Sequence, residues 1–177
     1  MTGTWQDSYP YNANSTFALH PQFISLKAAG VKETPEYRAL QAELNVLTQV
    51  DYERVNNEKT RLLREAYSKT FTKLSKTAAY KAFIAANRDW LEPYAAFCAL
   101  RDCFGTADFS RWKGYAKYSV SKIEKYCSEH RTEVDFHCFV QFHLDRQLTE
   151  VREYAHSKGV VLKGDLPIGI SRTSADA

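Results

Sequence analysis

The sequence predicts a mostly α-helical protein, on three observations. Apolar residues recur at spacings of three and four through most of residues 36–158, glycines stand where those runs stop, and non-periodic apolar text is confined to residues 16–26 and 160–170. With 177 residues, 44% of them hydrophobic and 14% aromatic, the chain carries enough apolar mass to bury a core.

Residues 1–27 open with turn-forming and aromatic text (Trp5, Tyr9, Pro10, Tyr11, Asn12, Asn14) and lead into a short apolar piece from Phe17 to Leu26. The expectation is a loop followed by an extended or single-turn segment. Gly30 to Pro35 breaks the chain, after which Tyr37, Leu40, Leu44 and Leu47 mark a short helix over 36–48. Asp51 is placed to cap a long helix with apolar positions at Val55, Leu62, Leu63, Ala66, Phe71 and Leu74. Thr77 to Ala86 reads as a separate helix ending near Asn87. The next begins at Asp89 or Glu92, takes Pro93 in its first turn, turns Tyr94, Phe97, Cys98 and Leu100 inward and stops at Gly105.

Thr106 to Ser119 has no steady period and reads as a loop with short helical turns. Its Phe109, Trp112, Tyr115 and Tyr118 fit either a sugar-binding platform or pins that hold the loop on the core, the latter being the commoner use of such residues. Helices follow over 121–129 and 133–158, the second with Val134, Phe139, Val140, Leu148, Val151 and Tyr154 on an apolar face. After Gly159 the run from Val160 to Ile168 suits a strand buried on both faces, as in a parallel sheet. Asp165 falls near its end, where functional groups of such sheets gather; it equally fits a cap on the following turn, and position does not separate the two.

Charge and composition exclude several classes. The 24 Lys plus Arg are interspersed with 21 Asp plus Glu, for a net charge of +3, and no concentrated basic stripe is present, so a nucleic-acid partner is not expected. Cys98, Cys103, Cys127 and Cys138 lack CxxC spacing, and the five histidines do not bracket them in a zinc pattern. Free, mostly buried thiols are expected, which fits a reducing cytoplasm. His137 and His143 lie six apart on one helix and point to different faces, so neither reads as a metal ligand. With no leader-like start and no apolar run near membrane-span length, a soluble cytoplasmic protein with no membrane partner is expected.

Five stretches carry a family resemblance. SYPYNANSTFALHP (Ser8 to Pro21), VDYERVNNEKTRLL (Val50 to Leu63), DWLEPYAAFCALRDCFG (Asp89 to Gly105), FHCFVQFHLDRQL (Phe136 to Leu148) and GDLPIGISRTSADA (Gly164 to Ala177) resemble, in order, motifs of the 4-alpha-glucanotransferases, the amylomaltases or disproportionating enzymes. The resemblance implies a retaining enzyme of the alpha-amylase clan, built on a (β/α)8 barrel. Such a barrel takes roughly 250 residues, so this chain is expected to be a partial segment: a barrel loop and strand at 1–27, a helical insertion at 28–132, and a barrel helix and third strand at 133–177. Its implied partners are alpha-1,4-glucans or maltodextrins and the remainder of the barrel, and the resemblance implies transfer without a metal or organic cofactor.

The family's R-x-D nucleophile strand, its acid Glu and its further Asp have no counterpart in these residues, and no catalytic residue is assigned. Two substrate-binding residues carry over by motif. Tyr11 matches the tyrosine that packs against sugar where the bond is cleaved, and an aromatic face suits the C–H face of a pyranose. Asp165 matches the strand-end carboxylate beside the active site. Tyr9 and His20 depart from the simpler bacterial pattern, which has Ser and often Asn there, and resemble the plant-type cytosolic enzymes. Ser171 replaces the Asp common after the strand. The rival expectation is a non-catalytic helical module for glucan binding or oligomerisation.

Overall fold

The computed structural model describes residues 12–165 and 169–177, so Tyr11 and Leu166 to Ile168 lie outside the described residues. Five helices account for most of it: α1 (Pro35–Asn45), α2 (Tyr52–Leu74), α3 (Ala78–Phe104), α4 (Val120–Glu129) and α5 (Arg131–Ser157). Two-residue strands β1 (Asn12–Ala13) and β2 (Gly169–Ile170) pair in parallel, and short 3-10 turns lie at Pro21–Phe23 and Phe109–Arg111.

The helix starts follow their caps. Thr34, Asp51 and Thr77 each accept a hydrogen bond from the backbone N–H three residues on, satisfying a donor that has no partner inside the helix. The stops follow glycine: Gly105 at φ 66° ends α3, and Gly159 at φ 72° follows α5.

The two helices expected at 77–86 and 89–104 are one, α3, with Pro93 inside it. Proline removes the bond to the carbonyl of Asp89, but burial on both sides outweighs that loss: Tyr80 and Phe83 before it, and Leu91 with Tyr94 to Leu100 around it, are buried. Asn87, expected near a helix end, instead donates its Nδ2 to the carbonyl of Phe83 at 2.9 Å and accepts from Trp90 Nε1 at 3.0 Å.

α5 is the centre of the packing. Val134 and every residue from Phe136 to Leu144 are buried, so this stretch is covered on all sides. Val134, Cys138 and Phe142 face a cluster with Leu91, Tyr94 and Leu100 of α3. Phe136, Phe139, Val140 and Leu144 face a second cluster with Leu62 and Leu63 of α2 and with Ile24, Leu26 and Ala29.

Three expectations are corrected. Residues 16–26 form no strand; they run through the 3-10 turn at Pro21–Phe23, because side chains rather than a neighbouring strand satisfy their backbone. Val160 to Asp165 is exposed coil rather than a buried strand, and the pairing seen among the described residues is at Gly169 and Ile170. A doubly buried strand needs a neighbour on each side, and among the described residues β2 has only β1. The apolar face of α5 also does not stay buried: Leu148, Val151 and Tyr154 are exposed, and neither hydrophobic cluster includes an α5 residue beyond Leu144. The thiols agree with expectation, with all four cysteines unpaired and Cys98, Cys127 and Cys138 buried. No described helix is long and apolar enough to cross a membrane.

Candidate functional site

The first and last described segments meet. β1 and β2 set Asn12 opposite Gly169 and Ala13 opposite Ile170, and the tail continues along the loop after β1. Ser171 N–H donates to the carbonyl of Ala13 at 3.2 Å, and Ala175 N–H to that of Asn14 at 2.8 Å. Asp176 then accepts from both the backbone N–H and the hydroxyl of Thr16, at 2.6 and 2.9 Å. Ser15 Oγ tightens the same loop by accepting from the N–H groups of Phe17 and Ala18. Phe17 stacks on Trp90 of α3 with ring centroids 5.9 Å apart, although it remains largely exposed.

Beyond this loop, α5 grips the chain by side chains. Gln141 accepts from Leu19 N–H at 2.9 Å and donates to the carbonyl of Leu19 at 2.8 Å. Gln147 treats Ser25 in the same way, at 2.8 and 3.2 Å. Lys59 Nζ donates to the carbonyls of Gln22 and Ile24, and Arg146 to that of Ala28. His20 caps the intervening turn by accepting at Nδ1 from Gln22 N–H at 3.0 Å. Burial, aided by Lys59, holds this imidazole down at about 4, so it is the neutral acceptor that the cap requires.

Asp165, one of the two sequence-derived site residues, is exposed in the coil between Gly159 and β2. The expected end of a buried strand is therefore not where it sits. Tyr11, the other, immediately precedes the paired Asn12 in sequence and lies outside the described residues.

The aromatic loop resolves in favour of packing for its central member. Trp112 is 3% exposed, donates Nε1–H to the carbonyl of Thr106 at 2.8 Å, and lies against Phe97 and Phe104, whereas Tyr118 is exposed.

A charged group to which sequence reading gave no role lies where α2, α3 and α5 meet. Arg101 pairs with Asp102 through Nε and Nη2, and His137 Nε2 is 3.3 Å from Asp102 Oδ2 without an aligned hydrogen bond. Burial alone would push the Asp102 carboxyl up; His137 and Arg101 more than offset this and hold it at about 2. Burial lowers His137, which Asp102 only partly opposes, so the contact joins a carboxylate to a neutral imidazole. No sequence spacing could have signalled it, because Asp102 and His137 belong to different helices. Among the described residues, no group of three or more His, Cys, Asp or Glu side chains could hold a metal ion.

The family model described as 4-alpha-glucanotransferase matches residues 1–177. The chain belongs to that family. It is 39% identical over 183 residues to the 4-alpha-glucanotransferase DPE2 of Oryza sativa subsp. japonica, covering 98% of this chain and 19% of the rice protein. It is 33% identical over 183 residues to the 4-alpha-glucanotransferase of Chlamydia trachomatis, covering 99% of this chain and 34% of that protein. The chain thus spans about a fifth to a third of the length of these relatives. Its fold is similar to that of the amylomaltase from Streptococcus agalactiae, solved in complex with acarbose. The TM-score is 0.82 at 22% identity, over 99% of this chain and 36% of that one. The 4-alpha-glucanotransferase motifs therefore have a spatial meaning here: Ser15, Phe17 and Ala18 of the first and Asp176 of the last belong to one hydrogen-bonded loop cluster.

Proposed function

We propose that these residues are part of a 4-alpha-glucanotransferase that moves alpha-1,4-glucan segments between maltodextrins by a retaining double displacement. The observation that carries this reading is the family match over residues 1–177. In that chemistry one carboxylate attacks the anomeric carbon while a second carboxyl, about 5–5.5 Å away, protonates the departing oxygen; the 4-hydroxyl of another glucan then displaces the enzyme and returns the proton. Neither carboxyl is assigned to this chain. Its part is substrate contact and support: Tyr11 offers an aromatic face to a sugar ring, and Asp165 accepts hydrogen bonds from a sugar hydroxyl or a neighbouring guanidinium. The parallel pairing of residues 12–13 with 169–170 supports this assignment, since it draws the two motifs toward each other in the fold.

Under this reading residues 1–27 and 133–177 belong with the barrel and residues 28–132 form its helical insertion. Exposed Leu148, Val151, Tyr154 and Val160 to Leu162 fit a face that the rest of the barrel covers. That same apolar face favours a second reading, a non-catalytic helical module whose exposed stripe serves oligomerisation or glucan binding. A cytoplasmic location fits the four unpaired thiols.

Incubation of the 177 residues alone with maltotriose is expected to give neither glucose nor longer dextrins, and the complete polypeptide that carries them is expected to give both. Turnover by the 177 residues would overturn the assignment of the carboxyls elsewhere. Absence of transfer by the complete polypeptide would overturn the enzymatic reading in favour of the module.

A further inference from the structure

A cavity of about 620 Å³ opens between the His20–Pro21 turn, α2, the end of α3 and α5. That size falls in the range of small-ligand sites. Its lining brings together Lys59 and Arg64 of α2, Arg101 and Asp102 of α3, and His137 of α5, with exposed Asn57 also on its wall.

The charges do not balance. Lys59, Arg64 and Arg101 are the basic groups, with burial lowering the Lys59 ammonium from the usual lysine value, and the lining has one carboxylate, Asp102; Glu133, which pairs with Arg64 at 2.8 Å, raises the opposing count to two against three. His20 and His137 are both neutral, for the reasons of burial given above.

The hydrogen-bonding capacity that the three basic groups leave over is donor capacity. Lys59 donates to two carbonyls, leaving one of its three hydrogens uncommitted among the described residues. Arg101 uses Nε and Nη2 on Asp102, and Arg64 uses Nη1 on Glu133 while its Nη2 stands 4.0 Å from Asp102, so each guanidinium retains N–H groups. Ammonium and guanidinium groups donate and never accept. His137 adds a buried ring nitrogen on the wall, 5% exposed at the residue, with no aligned hydrogen bond.

We propose that this cavity binds the phosphate group of a small ligand, free or as a sugar ester, with Arg64, Arg101 and Lys59 donating to its oxygens. A compact dianion rich in acceptors meets those donors, and bonds from guanidinium to phosphate are among the stronger polar contacts. Asp165 is not among the lining residues, and the proposal does not rest on glucan transfer.

Isothermal titration calorimetry at constant ionic strength tests it, using inorganic phosphate, glucose 1-phosphate and glucose as separate ligands. Saturable binding of either phosphate ligand, with none by glucose, is the expected result. Equal affinities would identify free phosphate as the ligand, and tighter glucose 1-phosphate binding the ester. Arg64→Gln is expected to weaken binding about tenfold, the loss of one charge-assisted hydrogen bond. Asn57 is exposed on the wall, so Asn57→Asp should weaken and Asn57→Lys tighten the same binding without disturbing the helical circular dichroism spectrum. Failure of both phosphate ligands to saturate, binding of glucose as tight as that of glucose 1-phosphate, or affinities indifferent to the charge at position 57 would each overturn the proposal.

Discussion

Gln141 holds Leu19 by both backbone groups, its amide oxygen taking the N–H and its amide nitrogen giving to the carbonyl. A side-chain amide thus does for this residue what a neighbouring strand would do, and Gln147 repeats the arrangement at Ser25, two turns of α5 further on.

Replacing Gln141 by Leu keeps the volume and removes both partners from a part-buried peptide group. The expected cost is ~2–3 kcal/mol in urea unfolding, from two backbone groups left unpaired. Gln147→Leu should cost less, because its bonds are exposed to water that can replace them. Hydrogen exchange at Leu19 N–H should accelerate in the first variant; unchanged protection there would contradict the clamp.

His143 is buried with both ring nitrogens unpartnered among the described residues, and burial, helped by Arg146, lowers it to about 4. Below its unfolded value of about 6.5 the unfolded chain binds a proton that the folded chain refuses until about 4. Stability must therefore fall as pH is lowered through that window, by on the order of 3 kcal/mol for this group. His20, also held at about 4, adds in the same direction. His143→Leu should raise the melting temperature at pH 7 and flatten the melting profile between pH 6.5 and 4.5; an unaltered slope would refute the assignment.

Trp112 fills the core beneath its loop, so Trp112→Ala should destabilise by ~3–5 kcal/mol, as large-to-small changes at buried aromatics do. Tyr118, 66% exposed, should be replaceable by Ala within ~0.5 kcal/mol. Chemical denaturation of the two variants distinguishes a packing role from a surface one.

Asp176 ties the tail to the loop after β1 through Thr16. Asp176→Ala should speed hydrogen exchange at Thr16 and loosen the stack of Phe17 on Trp90, visible as a change in tryptophan fluorescence. Because this contact is exposed, global stability should change by ~1 kcal/mol or less. A large drop in melting temperature would mean that the loop is part of the cooperative core.

Helix boundaries were legible where caps and glycines announced them, as at Asp51, Gly105 and Gly159. They were misread at Asn87 to Pro93, where local breaker signals compete with burial on both sides of α3. The inward face of α5 was read correctly from Val134 to Val140 and wrongly from Leu148 to Tyr154. Periodicity reports which residues share a face, but whether that face is covered depends on what the fold packs against it.

The sequence by itself determined the family, the helical character and the thiol chemistry, because motifs, apolar spacing and cysteine placement are properties of the chain's order. Only the tertiary structure decided that the loop from Asn12 is tied to a tail some 160 residues away, that two glutamines stand in for a strand, and that Arg101, Asp102 and His137 share a cavity wall. Such contacts join residues far apart in sequence, and their energies come from burial and geometry that exist only once the helices have packed.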